Sequence, residues 1–274
     1  MAPIVNRSCA AFDDTAHASH PGKRYFDHSL LSRLLARYVN DDGWVDYDGL
    51  KNERHLLNRY LESLGNADPG ELINRCEQLA FWINGYNSLT LADVLDDVYG
   101  KARSVREVAG FFNRKGHFIA SHQLTLDEIE ERGREINDPR IHFALVCAST
   151  SCPKLQKFAY DGRDLDLELE QAARKFLGDP ARGARIELPD RLLLSPILKW
   201  YSGDFSGRSG GLGHFFARVE ATISDRTALD YVAKYAAPDV KRWIDEKRPV
   251  VTYFDYDWSL NAQSTHKSPS GASQ

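Results

Sequence analysis

The chain has 274 residues, 42% of them hydrophobic, enough to bury the core of one large domain or two small ones. Its 35 basic and 39 acidic residues are interspersed and give a formal net charge of -4, which excludes both a basic nucleic-acid face and an acidic tail for a basic partner. No window reaches the roughly 20 uninterrupted apolar residues of a membrane-spanning helix, the N-terminus lacks the basic start and apolar run of a signal peptide, and four scattered cysteines make no disulfide framework. A cytoplasmic protein with reduced thiols, touching neither nucleic acid nor membrane, is expected.

Residues 1–23 are small and polar and are expected to form a disordered tail. Leu30, Leu31, Leu34, Leu35 and Tyr38 make one helical stripe, and Leu56, Leu57, Tyr60, Leu61 and Leu64 make another, with Trp44 to Tyr47 as a short strand between them. Asn66 to Gly70 reads as an interhelix loop. A third and longest helix follows, with Leu72, Cys76, Leu79, Ile83, Tyr86, Leu91 and Val94 spaced for burial as the spine of the core. Ser104-Val-Arg-Glu107 and Thr125-Leu-Asp-Glu128 have the pattern of capping boxes, the second opening a helix that carries Glu130 and Glu131.

Arg140 to Val146 reads as a strand and Asp164 to Leu177 as an amphipathic helix, and Arg185 to Leu188 with Arg191 to Leu194 reads as a hairpin around Pro189-Asp190. Gly207 to Gly213 lacks the Gly-Lys-Ser/Thr ending of a phosphate-binding loop and reads as a flexible turn or lid. Residues 262–274 form a second polar tail, which leaves one domain over 24–261. The class expected is α+β, a helical first half packed on a small, mostly antiparallel sheet.

Strand alternation places His142, Ala144 and Val146 on one face and Phe143, Leu145 and Cys147 on the other, which makes Cys147 a core residue. Cys152 lies beyond the strand in Ala148-Ser-Thr-Ser-Cys-Pro153, and loops at strand ends are where scaffolds place reactive groups. Pro153 suits the first position of a helix, so Cys152 is expected at a helix N-terminus, where the macrodipole and Lys154 favour thiolate. His142 is the candidate base, provided that the loop doubles back along the strand to reach it. The spacing His142-x4-Cys147-x4-Cys152 offers a zinc reading, but opposite faces and the lack of further ligand pairs argue against it, so no metal or cofactor is expected. A Cys147–Cys152 disulfide is expected only in an oxidising setting.

Asn84 and Asn87, one turn apart on the apolar helix, are candidates to hold the cysteine loop or a ligand. Ser151 in the loop joins them as a ligand-binding candidate. Lys199, Trp200, Tyr201 and Asp204 combine a cation, aromatic walls and a carboxylate fit to line a peptide-sized cleft, with Lys199 and Tyr201 as the ligand-binding pair.

Four blocks in order, Leu79 to Thr90, Asp138 to Pro153, Leu194 to Phe205 and Tyr256 to Asn261, resemble DUF547, a family known mainly as a domain of unknown function. The resemblance implies a cysteine-peptidase-like fold with a Glu, His and Cys constellation, here Glu130, His142 and Cys152. A carboxylate is also the usual group to orient an imidazole, which gives Glu130 a physical role beside the resemblance. The chain departs from the family where similar proteins read Ile-Glu-His-Gly-Ile-Leu-Arg: here Ile129-Glu-Glu-Arg-Gly-Arg134 puts Glu131 in place of the histidine. If that histidine were the base, this protein would bind without turning over.

Two functions follow as expectations. In the first, Cys152 attacks a peptide-like amide or thioester, His142 moves the proton, Glu130 orients His142, and loop amides hold the oxyanion, so the protein is a hydrolase or acyl transferase. In the second, the same cleft is a non-catalytic binding module for a peptide or a small thiol such as glutathione.

Overall fold

The apolar stripes near the N-terminus become α1 (Ser29–Tyr38), which buries Leu31, Leu34, Leu35 and Tyr38, and α3 (Arg54–Gly65), which buries Leu57, Tyr60 and Leu64. The computed structural model describes residues 23–205, 225–247 and 249–265. The strand expected at Trp44 to Tyr47 does not form. Asp46 accepts a hydrogen bond from the Gly49 amide and so caps α2 (Tyr47–Asn52), which leaves Val45 only single bridges to Val39 and Ala262.

The spine is α4 (Arg75–Asp93), capped by Asn74 and buried around almost its whole circumference, continuing as a π-helical turn over Val94–Val98. A helix apolar on all sides must be covered on all sides. The β1–β2 hairpin (His117–Ile119 and His122–Leu124) leads into α5 (Leu126–Arg134), whose capping box between Thr125 and Glu128 forms as its sequence pattern predicts. The corresponding pattern at Ser104 opens only a 3-10 turn, Val105–Glu107. Gly133 lets α5 lie close against its neighbours: a Cβ there would stand 2.6 Å from Ile141 Cδ1 and 3.5 Å from Trp82 Cβ on α4.

The strand expected over Arg140 to Val146 is instead a 3-10 turn, Pro139–Phe143, followed by irregular chain. Pro139 presets the first turn, and Asp138 accepts from the Arg140 amide. The buried Arg140 guanidinium is then gripped by Asp138 at 2.7 and 3.0 Å and by Asp166 at 2.8 Å, at the start of α6 (Leu165–Leu177). Every residue from Arg140 to Ser149 is buried, so no polar and apolar alternation was present to mark a strand period.

The expected hairpin is β3 (Ala184–Glu187) with β4 (Arg191–Leu194), and β5 (Val250–Tyr253) adds in parallel to β4. The parallel crossover runs through α7 (Pro196–Trp200) and α8 (Ser202–Phe205), then α9 (Asp225–Tyr235) and α10 (Pro238–Lys247). The class is α+β, mainly helical, with two small sheets among the described residues.

Two hydrophobic clusters result, one around α4 and α5, the other joining α6, β3, β4, α7 and α9. Ordered structure runs past Asn261, where the polar composition suggested a tail. Ala262 is buried, pairs with Val45, and is followed by a 3-10 turn, Gln263–Thr265. The remaining tail residues, 1–22 and 266–274, and the glycine-rich run Gly207 to Gly213 lie outside the described residues. Among the described residues no helix is long and apolar enough to cross a membrane.

Candidate functional site

The chain from His142 to Cys152 gives Phe143 to the second cluster and Ala144 to Ala148 and Cys152 to the first, and is held by side-chain bonds at one end and backbone pairing at the other. Asn87 on α4 donates to the Ala144 carbonyl at 2.9 Å and accepts from the Val146 amide at 2.9 Å. Its amide thereby does the work of a neighbouring strand. Asn84 clamps Tyr160 in the same way, through both its N–H and its C=O. Of the two roles expected for these asparagines, holding the loop is the one seen for Asn87, while Asn84 holds the backbone at Tyr160.

From Ala148 onward the loop pairs with the C-terminal segment. The Asn261 amide donates to Ala148 O, the Thr150 amide to Ser259 O and the Ser151 amide to Asp257 O. Ser151 Oγ accepts from the Asp257 amide, so this side chain too serves the pairing. Pro153 starts no helix, so Cys152 is not at a helix N-terminus. The reversal comes instead from Ala148, whose φ of 62° puts a non-glycine residue in the left-handed region, at a cost of about 1–2 kcal/mol. It brings the Cys147 amide to 3.0 Å from Cys152 Sγ.

Cys147 and Cys152 are joined as a disulfide in this structure, and both are buried. The reduced thiols expected from composition are therefore not the form seen. The Tyr256 hydroxyl reaches both sulfurs, donating to Cys152 Sγ at 3.2 Å and lying 3.5 Å from Cys147 Sγ. Burial pushes the Tyr256 phenol well above its ordinary range, which keeps it a proton donor.

Glu130, His142, Cys147, Cys152 and Tyr201 all line one cavity of about 30 Å³, together with Trp200 and Tyr256. Strand geometry had put His142 and Cys147 on opposite faces. The 3-10 turn changes the direction of His142, sends Phe143 into the second cluster, and brings both residues to the cavity. Lys199 is exposed, with its ammonium 5.5 Å from the Tyr253 ring centroid, and it does not line the cavity. Among the described residues no group of three His, Cys, Asp or Glu side chains is arranged to hold a metal ion.

The carboxylate that orients His142 is Asp204, not Glu130. His142 Nε2 lies 2.7 Å from Asp204 Oδ2, and the imidazole stacks on Tyr201 with ring centroids 3.8 Å apart. Arg134 fixes the same carboxylate through two bonds of 2.8 and 3.1 Å. Burial alone would raise the Asp204 carboxyl, but the bonds from His142 and Arg134 outweigh it and hold the group well below the usual carboxylate range. An ionised Asp204 accepts, so Nε2 carries a proton. Burial lowers the proton affinity of His142 against the opposing pull of Asp204, which favours the neutral ring, the form able to accept a proton.

Glu130 instead accepts from the Tyr201 hydroxyl. Its carboxyl is pushed up to about 7, chiefly by burial, with the Tyr201 bond and Arg134 opposing. Glu131, at the position of the family histidine, is half exposed and pairs with Arg134 at 2.6 Å, outside the cavity lining. The departure at 131 therefore leaves the cavity's own groups in place.

The raised Glu130 carboxyl carries a stability consequence. Between about 4.5 and about 7 the folded protein holds a proton that the unfolded chain has released, so stability falls as pH rises through that window. Glu130→Gln removes this contribution. Denaturant unfolding at several pH values is expected to show wild type losing stability relative to the variant by up to about 1.4 kcal/mol per pH unit inside the window, and parallel curves would contradict it.

Asp204 was visible in the sequence as a carboxylate beside Tyr201, but nothing local tied it to His142. Tyr256 was visible only as part of a block.

Residues 71–177 match the model of a family described as a protein of unknown function, DUF547. No curated protein and no solved structure matches the chain.

Proposed function

With residues 71–177 belonging to the DUF547 family, we propose that the protein is a cysteine-dependent hydrolase or acyl transferase acting on a peptide-like amide or thioester. The observation that carries this reading is the convergence of Cys152 and the Asp204-held His142 on one cavity. In the reduced protein the Cys147 amide and the Tyr256 hydroxyl stabilise negative charge on Cys152 Sγ. His142 Nδ1, on the other side of the ring from Asp204, takes the thiol proton, and Sγ attacks the carbonyl carbon. His142 then returns the proton to the leaving nitrogen or sulfur, and water or a second acceptor releases the acyl group.

Loop amides are poor candidates for the oxyanion donors expected from sequence, because Thr150, Ser151 and Cys152 N–H groups bond to Ser259, Asp257 and Ser149 carbonyls. The Tyr256 hydroxyl takes that role in this reading. The cavity has room for a water-sized group. Trp200 is the exposed member of the lining, so in this reading the acyl carbon enters beside it, with the body of the substrate outside.

The test is an acyl trap. Reduced protein is mixed with a small thioester, quenched in acid and mapped by mass spectrometry. Acyl on Cys152 that disappears with time supports the reading, and no acyl on Cys152 in folded, reduced protein overturns it. The small cavity and the bonded sulfurs favour a second reading, a binding module that captures a peptide or a small thiol such as glutathione as a lasting adduct on Cys152.

A further inference from the structure

Two features of the site are unused by acyl transfer: the second sulfur, and the hydroxyl shared between the two sulfurs. Cys147 contributes its backbone amide to Cys152, yet its side chain also faces the cavity and is bonded to Cys152 Sγ. Ser149 Oγ lies 3.1 Å from Cys147 Sγ, and Tyr256 reaches both sulfurs, so each has a hydroxyl beside it to supply or receive a proton as it leaves or attacks. The backbone of the loop is pinned to residues 257–261 by a pairing that does not involve the sulfurs.

We propose that Cys147 is the resolving thiol of Cys152, and that the pair exchanges with low-molecular-weight thiols and disulfides. The proposal rests on Cys152 being the reactive thiol of the preceding reading, but it needs no acyl chemistry. In the oxidising direction the Cys152 thiolate attacks a small disulfide RSSR, forming Cys152–S–S–R and releasing RS⁻. The Cys147 thiol attacks Cys152 Sγ, its proton relayed through the Ser149 and Tyr256 hydroxyls to the departing sulfur, forming the Cys147–Cys152 bond and releasing RSH, while the first RS⁻ takes up the proton that Cys152 had given up. RSSR is thus reduced to two RSH while two protein thiols are oxidised. Two equivalents of RSH run the sequence backwards.

The substrate class follows from size. Both sulfurs are buried and line a small cavity, which favours the sulfur end of a small thiol over a disulfide embedded in another protein. While the sulfurs are bonded, Cys152 has no thiol for acyl transfer, so the same exchange turns that activity on and off.

The experiment uses the full chain in glutathione buffers from fully reducing to fully oxidising, quenched in acid and read by intact mass and peptide mapping. Wild type is expected to pass between the dithiol and the Cys147–Cys152 disulfide without accumulating adduct. Cys147→Ser is expected to accumulate one glutathione on Cys152, at least ~10-fold more than wild type, whereas Cys152→Ser carries little on Cys147. A disulfide that fails to form in wild type, or adduct in Cys147→Ser no greater than in wild type, overturns the proposal. The wild-type measurement needs no variant to fold. Acylation of Cys152 without resolution by Cys147 would remove this proposal alone, and resolution without acylation would remove only the hydrolase reading.

Discussion

Asp204→Asn slows acylation of Cys152 by a small thioester roughly 100- to 10,000-fold while leaving the chain folded. The size follows from what Asp204 holds. It accepts from His142 Nε2 at 2.7 Å and is itself fixed by two bonds from Arg134. Asn keeps the volume but loses the charge that stabilises the imidazolium formed when Cys152 gives up its proton. It also presents an N–H2 group that can turn His142 to the wrong tautomer. Asp204 acts through His142, so the diagnostic readout is the pH profile. With the carboxylate gone, burial acts on the imidazole with less opposition, and the acid-side limb, where protonation of His142 removes the base, moves to lower pH. An unchanged profile with a uniformly lower rate would make Asp204 merely structural.

Asn87→Ala is expected to cost roughly 2–5 kcal/mol of stability in denaturant unfolding. The side chain satisfies the Ala144 carbonyl and the Val146 amide from a position that is 4% exposed, so Ala leaves two buried backbone groups without that partner. Asn87→Asp still accepts from Val146 but no longer donates to Ala144, and an intermediate loss is expected. Equal stability of all three proteins would show that the segment is held by something else.

These two residues also mark what could be read from the sequence. Asn87 stood out because a polar amide on an otherwise apolar helix must find a partner, though its choice of backbone over ligand depended on where residues 144–146 run. The helices were legible from their apolar spacing, and α5 from Thr125 and Glu128. The segment from Arg140 to Val146 was not, because a fully buried run has no polar face to reveal its period and the decisive contact, Arg140 with Asp166, is made across sequence. The same holds for His142 and Asp204, 62 residues apart. Glu130 lines the cavity with His142 and Cys152, but the residue that bonds its carboxylate is Tyr201 and not His142.

Cys152 as a thiol served by His142 is the central claim, and selective alkylation of the fully reduced protein at neutral pH tests it most directly. Iodoacetamide is expected to label Cys152 at least ~10-fold faster than Cys147, and His142→Ala is expected to remove most of that advantage. Equal labelling of the two cysteines, no labelling of Cys152, or a rate indifferent to His142 would contradict the claim.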